Sequence, residues 1–129
     1  MDGAERSSGS GALKTLPMLL LALALAGCTP KRPPAGVQGD PERGKIAVSQ
    51  YACQSCHLIP GVPGSKVYVG RPLSDMARRK VLAGALPNDQ ASLVRWIRDP
   101  QSVDPHTAMP DMGVSERDAL DISAYLLTQ

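Results

Sequence analysis

Apolar and polar positions divide the chain into three stretches. The first is an unbroken apolar run from Leu16 to Ala26, LPMLLLALALA, preceded by Arg6 and Lys14. A helix that crosses a bilayer needs roughly 20 apolar residues, so this shorter run reads as the h-region of a signal peptide over residues 1–27. Residues 29 to 40, TPKRPPAGVQGD, carry prolines and glycines with no hydrophobic period and read as a semi-extended linker.

From Asp40 onward the period becomes helical. Asp40 as N-cap and Pro41 in the first turn start a helix, and Gly44, Ala47, Val48 and Tyr51 recur on one face of it. The spacing predicts about 12 residues running into Cys53 and Cys56. LIPGVPGSKVYVGRPL then has Pro or Gly at 60, 61, 63, 64, 70 and 72, which predicts a long loop, apolar enough to lie against something. A short helix is expected near Ser74 to Ala83. Another runs from a cap at Asn88 to Asp99, where Pro100 stops it, with Leu93, Trp96 and Ile97 on one face. The last starts at Ser115 with Asp118 three residues on, and turns Ala119, Ile122, Tyr125 and Leu126 inward. No stretch alternates as a strand does, and no internal repeat is present. The expectation is one small all-α domain over residues 41–129.

Composition makes that domain unusual. The 129 residues include no Phe, and the aromatic side chains are Tyr51, Tyr68, Trp96 and Tyr125. A domain this small with so little bulky apolar surface does not fill its own core, so a non-protein group is expected in its middle. The net charge is +2, and no run of Lys or Arg exceeds three residues, which excludes the basic character of a nucleic-acid binder.

The stretch YACQSCHLIPG holds two of the three cysteines, with His57 directly behind the second. In an exported chain, C-x-x-C-H reads as a c-type haem attachment site. Cys53 and Cys56, one turn apart, can each add across a haem vinyl group, and His57 is placed to ligate the iron. A redox dithiol would need a βαβ context, a zinc site would need four ligands, and a plain disulfide would leave His57 without a role. For the sixth iron position, Met109 in TAMPDMG is a thioether in a polar, Pro-flanked loop. Met112 is the second candidate, Met76 reads as packing, and a gap-filling role for Met109 stays open.

The third cysteine has its own context. Leu25-Ala26-Gly27-Cys28 resembles the bacterial lipoprotein cleavage box, which implies that the chain is cut before Cys28 and that its thiol carries the lipid. Two or more acyl chains hold a protein stably on a membrane. Residues 28–40 would then be lipid anchor and linker, with a reach of roughly 37 Å at polyproline II extension. An ordinary signal peptide with a free Cys28 is the other reading.

Over Pro41 to Gln129 the chain resembles the class I, monohaem, bacterial cytochromes c. The resemblance rests on CQSCHLIPGV, VGRPL, AGALPN, WIRDPQ, AMPDMGVS and DISAYL. It implies a small cytochrome c fold, three main helices plus a short one around one covalent haem c, in which the first and last helices cross where Gly44 approaches Tyr125. It also implies Met109 as distal ligand. The backbone carbonyl of Arg71, at a position where the family has Pro, would accept the His57 ring N–H. Arg79 would pair with a haem propionate, Trp96 would line the pocket, and Thr107 would lie near the propionates. His106, where Gly is usual, reads as a solvated loop residue.

The function expected from this resemblance is one-electron transport on the periplasmic side of the membrane, with no substrate turnover of its own. The donor would be a quinol-oxidising complex or dehydrogenase and the acceptor a terminal oxidase. Lys66, Arg71, Arg78, Arg79 and Lys80 form a candidate docking patch in an otherwise balanced domain. Two alternatives remain: a haem-bearing subunit of an oxidase or dehydrogenase, and an open-site haem peroxidase or gas sensor.

Overall fold

The computed structural model describes Met1, residues 31–64 and residues 69–129. The chain divides into two units, Met1–Lys31 and Arg32–Gln129, and the helices and strands of the described residues all lie in the second. The expected signal peptide, Cys28 and Lys66 lie outside the described residues. Among the described residues no helix is long and apolar enough to cross a membrane.

Helix α1 spans Pro41–Gln50. The Asp40 carboxylate accepts from the backbone N–H groups of Glu42 at 2.9 Å and Arg43 at 3.2 Å, satisfying two of the unpaired donors of the first turn. The helix stops before Tyr51, short of the cysteines that the period predicted it would reach. Ala52 takes the left-handed conformation, φ 53°, which no α-helix can continue through. Cys53–Ser55 is a separate 3₁₀ turn.

The expected short helix over 74–83 is not there. A 3₁₀ turn, Met76–Arg78, is followed by a small hairpin of β1, Val81–Leu82, and β2, Leu86–Pro87, with Leu82 opposite Leu86. Ala83 and Gly84 at its tip both have positive φ, the geometry that tight hairpins favour. Strands of two residues are too short to show alternation in sequence.

Helix α2 spans Gln90–Arg98, capped by Asp89, whose carboxylate accepts from the Ser92 N–H at 2.8 Å. The expected cap, Asn88, is used elsewhere: its amide donates to the carbonyls of Met76 and Arg79, each at 2.7 Å, and pins the 3₁₀ turn. Pro100 ends α2 and opens another 3₁₀ turn, Pro100–Ser102. Helix α3, Glu116–Leu126, has Ser115 as N-cap: its Oγ accepts from the Asp118 N–H at 3.1 Å and donates to the Asp118 carboxylate at 2.8 Å.

Helices α1 and α3 share the most extensive helix contact. Its tightest point is Gly44, where an added Cβ would fall 1.9 Å from the Asp121 carbonyl oxygen and 2.9 Å from the Tyr125 Cβ. Only glycine lets the two backbones touch there. Around this point Ala47, Val48, Ala119, Ile122 and Leu126 are buried, joined by Leu93 and Ile97 from α2 and by Met76 and Leu82 from the middle segment. Tyr125 donates its hydroxyl to the carbonyl of Pro60 and ties the long loop to α3. Beside Gly44, the Arg43 guanidinium grips the buried Asp121 carboxylate at 2.8 and 3.1 Å, and the Asp40 N–H adds a third bond at 2.7 Å.

The end of the expected linker also belongs to this packing. Val37 packs against the core, and Gln38 and Gln90 exchange two hydrogen bonds. Composition marks these residues as loose, but partners supplied by α2 and α3 hold them.

Candidate functional site

The left-handed Ala52 turns the chain out of α1, and the 3₁₀ turn carries it round so that the N–H groups of Cys56 and His57 both donate to the Cys53 carbonyl, at 3.2 and 3.0 Å. Both thiols are free and half-buried. Burial pushes the Cys53 thiol above its ordinary value, with Cys56 adding to the rise. A redox-active dithiol needs the opposite shift, toward the thiolate.

The loop from Gly70 to Leu73 lies along this turn. Gly70 N–H donates to the Cys56 carbonyl and Leu73 N–H to the Leu58 carbonyl, each at 2.8 Å. His57 Nδ1 sits 2.7 Å from the Arg71 carbonyl oxygen. A carbonyl only accepts, so Nδ1 carries a proton, and in the neutral ring this leaves the lone pair on Nε2, the tautomer a metal-ligating histidine uses. Gly70 presses on the same ring: an added Cβ would fall 2.3 Å from His57 Cε1. Arg79 holds the loop from behind, donating to the carbonyls of Pro72 and of Ser74, the latter at 3.0 Å. Its guanidinium is thus a brace for the segment that carries Arg71.

Met109 lies on a second segment, half-buried. Its N–H donates to Thr107 Oγ1 at 3.2 Å, and its carbonyl accepts from Gln101 Nε2 at 2.7 Å, so the 3₁₀ turn after α2 fixes its backbone. Trp96 is half-buried on α2, next to the core residue Ile97. His106 is exposed, its N–H held by Asp104 at 2.9 Å. Met112 is 42% exposed, whereas Met76 is 2% exposed and belongs to the core. In the expected docking patch Arg71 and Lys80 are exposed, but Arg78 is paired with Asp75 and Arg79 is committed to the loop.

Three contributors lie in stretches that carry the family resemblance, but the sequence does not show these roles for them: Gly70 against the ring, Gln101 at Met109, and Asn88 as the pin of the middle segment. The G-R in VGRPL marked a turn without showing what it turns against. Tyr51 contributes as well, donating to Asp118 at 2.7 Å and linking the residue just before the turn to the cap of α3.

The donor set fits a covalently held haem. Two unoxidised thiols sit one turn apart, and the imidazole behind them has its free nitrogen set by a hydrogen bond on the other. Leu73 and Leu86 pack against the core and stay half-buried. Among the described residues no three His, Cys, Asp or Glu side chains gather as a protein-only metal site requires.

No protein-family model matches the chain. Over 85 residues it is 34% identical to cytochrome c oxidase subunit 2 of Alkalihalophilus pseudofirmus, a match covering 65% of this chain. The chain spans about a quarter of that relative, the match covering 24% of its length. Cytochrome c2 of Rhodobacter sphaeroides superposes with a TM-score of 0.54 at 25% identity, covering 69% of this chain and 94% of the cytochrome. The protein therefore has a small all-α cytochrome c fold, and that fold implies haem c.

Proposed function

We propose that the protein is an exported, membrane-tethered monohaem cytochrome c that carries one electron at a time between respiratory complexes. The observation that carries this reading is His57: an imidazole directly behind two free cysteines, its Nδ1 bonded to the Arg71 carbonyl. Bound haem c supplies the one-electron chemistry of its iron. Cys53 and Cys56 would hold it covalently, and His57 would ligate the iron through Nε2. Donation from Nδ1 to Arg71 orients the ring and raises its basicity. Met109, on a backbone fixed by Thr107 and Gln101, would supply the iron with a second protein ligand. With His57 and Met109 both holding the iron, the haem would pass electrons and leave small molecules out. Trp96 is assigned to the pocket wall, and Arg79 and Thr107 to the propionate side.

The donor in this reading is a quinol-oxidising complex and the acceptor a terminal oxidase, supported by the likeness to an oxidase subunit. Lipidated Cys28 keeps the domain at the membrane, where the tether raises its effective concentration toward such partners. The same likeness favours a second reading, a permanent haem subunit of an oxidase. Co-purification with oxidase activity through detergent extraction and size exclusion would select it.

The test is a visible spectrum of protein matured with haem, oxidised and then reduced. A low-spin c-type spectrum whose weak far-red ferric band disappears in Met109→Ala is the expected result. A high-spin spectrum with rapid CO binding would instead make the protein an open-site enzyme or sensor.

A further inference from the structure

We propose that residues 37–40 form a clasp that fixes where the N-terminal segment leaves the domain, with the Gln38–Gln90 pair as its lock. The Gln90 side chain, in the first turn of α2, uses both ends of its amide. Its Oε1 accepts from the Gln38 N–H at 2.8 Å, and its Nε2 donates to the Gln38 carbonyl at 2.6 Å and to Ser123 Oγ at 2.8 Å. Ser123 donates its own hydroxyl to the Leu120 carbonyl at 2.7 Å, so every donor in this relay is used. Gly39 follows, at φ +94°, with room for no side chain: a Cβ there would fall 2.6 Å from the Leu120 carbonyl oxygen. Asp40 closes the strap by donating its N–H to Asp121. Three consecutive residues thus engage α2 and α3 before α1 begins, and Val37 ahead of them packs against the core, more than a passive linker needs.

The clasp places the exit of the N-terminal segment at the start of α1, while the cysteines lie beyond its end. Ten residues of helix at 1.5 Å each put roughly 15 Å between the two. The functional consequence rests on the tether reading. In that reading the pull of an anchor at Cys28 enters the domain at the start of α1, and the Cys53–His57 turn lies past the other end of that helix. The haem-bearing end is then the one left free to meet a partner.

The clasp is tested by amide hydrogen exchange on the nitrogen-15-labelled, reduced, haem-loaded full chain. Gln90→Glu keeps the acceptor for the Gln38 N–H but removes both donated bonds, and Gly39→Ala pushes the strap off Leu120. In both variants the Gln38 amide should exchange about tenfold faster, with α3 amides and the visible spectrum unchanged. Free exchange of Gln38 in the parent protein, or no acceleration in either variant, would overturn the proposal. Acceleration of α3 in step with the strap would do so too, because the strap would then be part of the helix junction. The mass of the N-terminal peptide separates this from the tether reading: an unlipidated Cys28 removes the tether and leaves the exchange result standing. On a supported bilayer, releasing the strap should let the protein layer extend by up to about 12 Å in neutron reflectometry. An unchanged layer on a lipidated protein would sever the clasp from tether length.

Discussion

Two glycines do the most demanding work at the scale of single residues. At Gly44 the obstacle to a side chain is backbone, the Asp121 carbonyl, which cannot move without shifting α3. Gly44→Ala should therefore lower the stability of the haem-loaded protein by about 3 kcal/mol or more, read as a shifted urea midpoint. Gly70 faces a side chain, the His57 ring. In Gly70→Ala either the ring or the loop must give way, and the bond from His57 Nδ1 to the Arg71 carbonyl is lost. An imidazole without that bond is less basic and supports ferric iron less well, so the reduction potential should rise on redox titration. A potential equal to the parent's would mean that the bond does not tune the site.

Among the elements, α3 gathers most of the polar anchoring. Its N-cap, Ser115, is reciprocally bonded to Asp118, and Ser115→Ala should destabilise by about 1 kcal/mol in the same urea measurement. One turn on, the Arg43 guanidinium holds the Asp121 carboxyl below the usual carboxylate range, against the opposing effect of burial. Hydrogen bonds from Tyr51 and Ser115 lower Asp118 likewise. Groups lowered on folding bind fewer protons in the folded state than in the unfolded one. Their contribution is present above the unfolded carboxylate value of about 3.9 and is lost as pH falls through the lower folded values. Stability should thus drop on the acid side below about pH 4, and Asp121→Asn should flatten that limb of the thermal-midpoint profile.

For the whole molecule, the question is how so little bulky side chain holds a domain together. Tyr125 is the sole aromatic in the buried cluster of described residues, and Leu73 and Leu86 pack against that cluster while staying half-exposed. A haem would contribute the large apolar surface that the chain lacks. Protein expressed without haem maturation should therefore show much weaker helical circular dichroism than the haem-loaded form. An apo spectrum matching the holo one would show that the helices sustain themselves. Charge says less: from Asp40 onward ten basic side chains face ten acidic ones, so docking rates should depend only weakly on ionic strength.

The sequence by itself determined the features whose causes are local. The three helices follow from apolar spacing, from Asp and Ser caps and from Pro100, and the haem-site candidates follow from C-x-x-C-H and a Pro-flanked Met109. The tertiary structure decided whatever joins distant positions. Gln38 meets Gln90 across 52 residues, and Asp40 meets Asp121 across 81, turning an apparent linker into part of the domain. The same holds for the early end of α1, the 3₁₀ turn and hairpin in place of a short helix, and Gly70 against His57. Each depends on which backbone lies opposite once the helices have packed, and spacing along the chain carries no record of that.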